Sequence, residues 1–343
     1  MGSQGPRFGY DANVFELRRD PVTGWWSAIV TDRTFEHSSF AVQATPVEGT
    51  HCRHCDDDPT DPDAAVEETA IRRVTLRRDA FLQVEPGKEP GAQLPLLSEA
   101  TAASGSWEIL VAPRGHHERL ADAPPRLAVN LLRTLRDTMR SLGAEPRGEE
   151  EPRYIQAVQS YGMQAGSRSG HLNIELYAIP QVPHWVAEEI GGGARHVIKT
   201  RSCVWCSLAH SEEEAGDRLV LAEERFVVFA PAASRSAFEL MIVPRAHAAD
   251  FTALDDDDIA AATATLQRTL GTLDELGDPP YNLILHTAPA GDRLDQTFHW
   301  HWELHPRLRV IAGLERATAL AVNPAAPEFA AEVLRRQAHR ASP

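Results

Sequence analysis

The chain has 343 residues, 43% of them apolar, and a formal net charge of −15. That excess of negative charge argues against a non-specific nucleic-acid binder or a partner of anionic membranes, while a nucleotide needs only a local patch. No apolar run approaches a membrane-spanning length and no charged-then-apolar leader opens the chain, so a soluble, cytoplasmic protein of two domains is expected.

In chain order, the first signal is CRHC, with Cys52 and Cys55. Two stretches, FLQVEP and WEILVAPRGHHERL, then read as strands of a hairpin closing on P-R-x-H. An amphipathic helix is predicted over 123–143, with proline at its start and Gly143 at its end. A strand from Tyr154 follows, and then SGHLNIELYAIPQVP, residues 169–183. Here His171, Asn173 and Glu175 alternate with Leu172, Ile174 and Leu176, so the three polar side chains share one face of a half-buried strand. The domain boundary is expected within 184–200, where GGG interrupts a short helical stretch.

The series then repeats. CVWC supplies Cys203 and Cys206, FVVFAP and FELMIVPRAHAADF follow, and a second helix is predicted over 254–277, with aspartates in its first turn and Gly277 at its end. A strand from Tyr281 leads to FHWHWEL, where His299, His301 and Glu303 lie opposite Trp300, Trp302 and Leu304. Laying Trp107 on Phe238 aligns Glu108 with Glu239, Arg114 with Arg245 and His116 with His247. Each half therefore predicts an antiparallel sheet with a helix packed across it. The class is α+β, in two tandem domains over 10–190 and 191–340.

All four cysteines fall in the two C-x-x-C pairs. Without a signal for an oxidising compartment, metal sites or redox pairs are favoured over structural disulfides. Zinc takes thiolate and imidazole in a tetrahedron. The first half offers Cys52, Cys55, His116 and His171; the second offers Cys203, Cys206, His247 and His299. The same set occurring twice in the same order predicts two zinc sites. Their alternative is a redox pair, against which stands the missing parallel βαβ context. His51, His54, His117 and His305 are expected to be solvated neighbours.

ELRRDPVTGWWSAIV, CRHC, AGSRSGHLNIELYAIPQVP and YNLILHTAP with FHWHWELHPRL resemble the galactose-1-phosphate uridylyltransferase-like proteins, a two-repeat branch of the histidine-triad superfamily. The resemblance implies two histidine-triad-like halves, a metal site in each, a homodimer, and ping-pong transfer of a nucleoside monophosphate between sugar 1-phosphates. It also implies a nucleophilic histidine, the second of an H-P-H-x-Q motif. The motif's first histidine falls on His171, its second on Asn173, and its glutamine on Glu175. A carboxamide is not a usable nucleophile at phosphorus. Neighbouring positions depart as well: Ser160 replaces an asparagine, Arg168 stands where a phosphate-binding serine is usual, and Leu172 replaces the proline.

Three readings follow. In the first, a diverged enzyme acts on a nucleotide or phosphorylated metabolite, with Arg168 and Ser160 binding substrate, Asn173 in the pocket and Glu175 as general acid or base. Glu175 can instead orient a metal-bound histidine, and Arg168 can be a surface arginine. In the second, His301 serves as nucleophile in the other half. In the third, zinc holds a non-catalytic binding scaffold.

Overall fold

The computed structural model describes residues 15–30, 37–45, 52–56, 70–77, 105–113, 118–144 and 153–340. The expected FLQVEP strand and His51, Arg114, His116 and His117 lie outside the described residues.

The first half contributes β1 (Phe15–Arg19), β2 (Trp26–Val30), α1 (Arg53–Asp56), β3 (Arg72–Arg77), β4 (Ser106–Val111), α2 (Pro125–Ala144), β5 (Tyr154–Tyr161) and β6 (Asn173–Ile179). After α3 (His184–Thr200) come α4 (Val204–Ala215), β7 (Leu219–Ala222), β8 (Phe226–Phe229), β9 (Leu240–Pro244) and α5 (Asp256–Gly271). The chain closes with β10 (Tyr281–His286), β11 (His301–Pro306), α6 (Gly313–Thr318), β12 (Ala321–Asn323) and α7 (Pro327–Arg340). The α+β class and the antiparallel sheet with a helix across each half agree with the sequence reading.

The two halves share one sheet. Nine strands run in the order β3-β4-β6-β5-β10-β11-β9-β8-β7. The seam is the antiparallel β5–β10 pair, with Tyr161 opposite Tyr281 and Ala157 opposite Leu285. A second, three-stranded sheet joins the chain's early and late segments, because β12 pairs parallel to β2 with Val322 opposite Ala28.

Periodicity explains what each face does. Leu127, Leu131, Leu135 and Leu142 recur at helical spacing along α2 and are fully buried. They pack with Leu172, Ile174, Leu176, Trp300, Trp302 and Leu304 in one core on the helix side of the sheet. Each such leucine contributes roughly 2 kcal/mol by burial. Pro125 opens α2, where its missing N–H costs nothing. Asp255 caps α5 by accepting from the Asp258 N–H at 2.7 Å. Arg136 on α2 reaches Asp256 at the start of α5 at 2.8 Å, tying the two helices together.

Two sequence expectations are corrected. The glycine triplet does not interrupt a helix: α3 runs unbroken through Gly191, Gly192 and Gly193. A Cβ on Gly192 would sit 1.8 Å from the Val22 carbonyl oxygen, and one on Gly193 would sit 1.8 Å from that of Thr297. Only glycine admits such close backbone approach. The repeat alignment also slips by one residue within the strands. Ile109 pairs with Glu175 and Met241 with Glu303, so Trp107 corresponds to Glu239 and not to Phe238. A one-residue slip exchanges the faces of a strand. Trp107 therefore stands beside Tyr177 on the polar face, while Phe238, at φ 61°, enters the helix-side core.

Candidate functional site

Each C-x-x-C pair opens a helix, Cys52 and Cys55 at α1 and Cys203 and Cys206 at α4. The histidines that face them lie at the start of the two motif strands. His171 Nδ1 is 3.5 Å from Cys52 Sγ and 3.4 Å from Cys55 Sγ, while its Nε2 donates to the Ala112 carbonyl at 2.8 Å. In the second half, His299 Nδ1 lies 3.8 Å from Cys203 Sγ and 3.4 Å from Cys206 Sγ, and His247 Nδ1 lies 3.5 Å from Cys206 Sγ. These four ligand atoms all lie within 4.8 Å of one another.

The donor set fits zinc. Two sulfurs and two imidazole nitrogens converge on one point, and His247 points its other nitrogen at the Asp295 carbonyl, which fixes the ring for ligation. The Cys203 thiol is pushed down to about 3 by its hydrogen bond to Cys206 and by His299, whereas Cys206 is pushed up by the same pairing. One proton shared between two sulfurs is what a divalent cation would displace. Burial holds His299 below the ordinary imidazole value, in the neutral form a metal needs. The first-half cluster shows three of its four predicted ligands; the fourth, His116, lies outside the described residues.

Past these sites, the strand faces diverge. Asn173 is buried and its Nδ2 donates to the His171 carbonyl at 2.7 Å. His301 occupies the same place on β11 and makes the same bond, Nδ1 to the His299 carbonyl at 2.9 Å. An imidazole tied back by Nδ1 still presents Nε2; a carboxamide tied back by Nδ2 presents no nucleophilic nitrogen. Glu175 and Tyr177 follow on β6, with Trp107 stacked on Tyr177 at 5.8 Å between rings. The exposed Arg168 guanidinium lies 4.8 Å over the Trp107 ring. Burial raises Glu175 above the usual carboxylate range, and Tyr177 and Arg168 only partly oppose it. Burial, then the Glu175 charge, raises Tyr177. Ser160 accepts from Asn282 Nδ2 at 2.9 Å on the neighbouring strand. Asn173, Glu175 and Arg168 are thus brought to one face, and Ser160, two residues beyond the Val158 that pairs with Glu175, shares it while its hydroxyl is engaged by Asn282.

His301 is fully buried, packed between Trp205 and His286 rather than against Trp300 and Trp302, which point to the other face. Around it lies a charged cluster that the motifs did not disclose. Glu189 of α3 sits 2.9 Å from His286 Nδ1, and His301 Nε2 and His286 Nε2 each lie 3.7 Å from a carboxylate, of Glu189 and Glu303 respectively. Burial opposes charge on His286, but Glu189 and Glu303 outweigh it and raise the imidazole to about 9. Burial likewise works against ionised Glu189, yet His286 holds it down at about 2. His305 is not a solvated neighbour: it is 3.0 Å from Glu303 and 3.3 Å from Arg235. The repeat pointed to Glu303, but only the packing of α3 discloses Glu189 and His286.

No family model matches the chain. ADP-glucose phosphorylase of Arabidopsis thaliana is 25% identical over 341 residues, spanning 93% of this chain and 92% of that protein. Galactose-1-phosphate uridylyltransferase of Thermotoga maritima is 26% identical over 336 residues, 94% of this chain and 98% of that protein. Among solved structures, the Arabidopsis thaliana ADP-glucose phosphorylase with bound ADP-glucose superimposes with a TM-score of 0.70 at 23% identity, covering 94% of this chain and 98% of the other. In sequence and in fold, over nearly its whole length, the chain resembles the galactose-1-phosphate uridylyltransferase-like proteins.

Proposed function

We propose that the chain is a zinc-containing, cytoplasmic, homodimeric enzyme that acts on a nucleotide- or phosphate-bearing small molecule without a covalent nucleotidyl–histidine intermediate. The observation that carries this reading is Asn173, whose amide nitrogen is spent on the His171 carbonyl. Its relatives by sequence are named as a phosphorylase and as uridylyltransferases, which supports a transfer reaction at phosphorus. Zinc, when bound by Cys52, Cys55 and His171, would anchor the strand bearing Asn173 and Glu175, and supply rigidity rather than a reacting group.

The chain's own residues suggest a direct displacement. Arg168, held over Trp107, can pair with one anionic oxygen. Glu175, whose carboxyl burial raises above the usual carboxylate range, can give a proton to a leaving oxygen or take one from an attacking hydroxyl. His301 is not assigned the reaction, because it has no exposed surface.

The test is a panel of nucleotide sugars and sugar phosphates, followed by phosphorus resonance and intact-mass measurement. Phosphorus chemistry or tight binding without any protein adduct is the expected result. Formation of UDP-galactose from UDP-glucose and galactose 1-phosphate, accompanied by a nucleotidyl adduct on the protein, overturns the reading.

A further inference from the structure

The two motif strands raise equivalent carboxylates from one face of the sheet. Glu175 stands between Ile109 and Val158 on its neighbouring strands, and Glu303 stands between Met241 and Ile284. The residues directly opposite are apolar in both halves, so a charge partner must reach each carboxylate from above the sheet. A carboxylate taken partly out of water needs such a partner.

The second half supplies its own. Arg235 lies 2.7 Å from Glu303 and from Glu239 and stacks 4.3 Å over Trp185. His305, two residues along the strand, adds a contact to Glu303 at 3.0 Å. Burial opposes ionised Glu303, yet Arg235 and His286 hold it well below the usual carboxylate range. One guanidinium, held by an indole and two carboxylates, thus closes this position from within the chain.

The first half has the carboxylate and lacks the cation. The same register puts Trp107 in the place of Glu239 and Tyr177 in the place of His305. Four residues ahead of Glu239 the sequence has Arg235; four ahead of Trp107 it has Ala103. Among the described residues, no cation comes within ion-pair distance of Glu175, and no carboxylate within that distance of Arg168. Glu175 and Tyr177 are half-buried and Arg168 is exposed, so all three keep surface that a ligand can reach. Burial raises the Glu175 carboxyl, as expected of a charge without a close counter-ion. We propose that the substrate brings the missing cation: Glu175 receives a protonated amine while Arg168 pairs with a phosphate on the same molecule, so that the site selects a small amine-bearing phosphate ester such as an amino-sugar phosphate. This rests on the reading of the site as one for phosphate-bearing small molecules, and adds the group that Glu175 recognises.

The experiment is calorimetry on the full chain with glucosamine 1-phosphate, glucose 1-phosphate and N-acetylglucosamine 1-phosphate at neutral pH. Glucosamine 1-phosphate should bind at least about tenfold more tightly than the other two, the scale of one hydrogen bond between charged groups. Glu175→Gln, which keeps the shape and removes the charge, should bring the three affinities together by weakening the amine and strengthening glucose 1-phosphate. Arg168→Ala should weaken all three alike and leave their ratios unchanged, because it removes the phosphate partner they share. Equal affinities in the parent chain, N-acetylglucosamine 1-phosphate binding as tightly as the free amine, or a preference that survives Glu175→Gln overturns this inference and leaves the phosphate reading in place. Failure of all three to bind at millimolar concentration overturns both.

Discussion

Asn173 and His301 hold equivalent places on two strands and make the same backward hydrogen bond, to the carbonyl two residues earlier. The bond is the shared structural duty; the second ring nitrogen is what the first half has lost. Asn173→His should therefore keep the strand intact and present a free Nε2. Incubated with a nucleotide sugar, this variant should gain the mass of a nucleoside monophosphate in an acid-labile phosphoramidate, whereas the parent chain gains nothing. Equal masses for both would show that the pocket no longer brings an α-phosphorus to this strand. Glu175 is the second residue whose state matters. Its folded value is raised by burial, so the native state holds a proton that the unfolded chain has already released. The stability this contributes is fully present below the unfolded carboxylate value and is lost as pH rises through the folded one. Glu175→Gln should remove that decline, seen as a flatter profile of melting temperature from acid to neutral pH. The same substitution should flatten the pH dependence of anion binding, because the parent site repels anions once Glu175 ionises.

At the scale of elements, α3 is the piece that most constrains the molecule. Its glycines carry two backbone crossings, one over the β1–β2 connection at Val22 and one over the segment leading to His299 at Thr297. Gly192→Ala and Gly193→Ala should each cost several kcal/mol, or prevent folding, because the added carbon meets carbonyl oxygen rather than a movable side chain. Gly191→Ala is the internal control. Its Cβ would meet only the flexible end of Arg195, at 3.2 Å. There alanine should be neutral or raise stability by about 1 kcal/mol through helix propensity. Chemical denaturation of the three variants separates the cases; equal midpoints would mean that α3 sits farther from its neighbours.

At the scale of the whole molecule, the continuous sheet makes each half depend on the other. The β5–β10 seam, the β2–β12 pair and Glu189 beside His286 all cross the expected boundary at 190/191. Fragments spanning 10–190 and 191–340 should therefore fail to fold when expressed singly and should associate when expressed together, as judged by circular dichroism and sedimentation. Zinc content is the other global readout. Purified protein should carry about two zinc ions per chain, and Cys203→Ser should lose one of them together with a large part of its melting temperature, since metal binding is folding energy in such closed sites. Trace metal only, or an unchanged melting temperature, would remove zinc from the account.

Period-two alternation by itself determined which residues of the motif strands face the core, because strand geometry leaves no other face for Leu172, Ile174 and Leu176. Helical spacing and end signals likewise placed α2 to within two residues and the start of α5, whose α-helix ends at Gly271 rather than at Gly277; of the duplicated Cys and His set, the described residues bring together all but His116, which lies outside them, and the set could be read because metal ligands are restricted to few residue types. Three features belong to the tertiary structure alone. The register between β4 and β9 depends on pairing with β6 and β11, and apolar runs such as WEILV and FELMIV read the same in either register. The triplet of glycines reads locally as a helix break, and only the chain passing over it shows that the missing side chains make room for backbone. Glu189 and His286 lie 97 residues apart. Their mutual stabilisation depends on desolvation and distance, quantities that exist only once α3 has packed against the sheet.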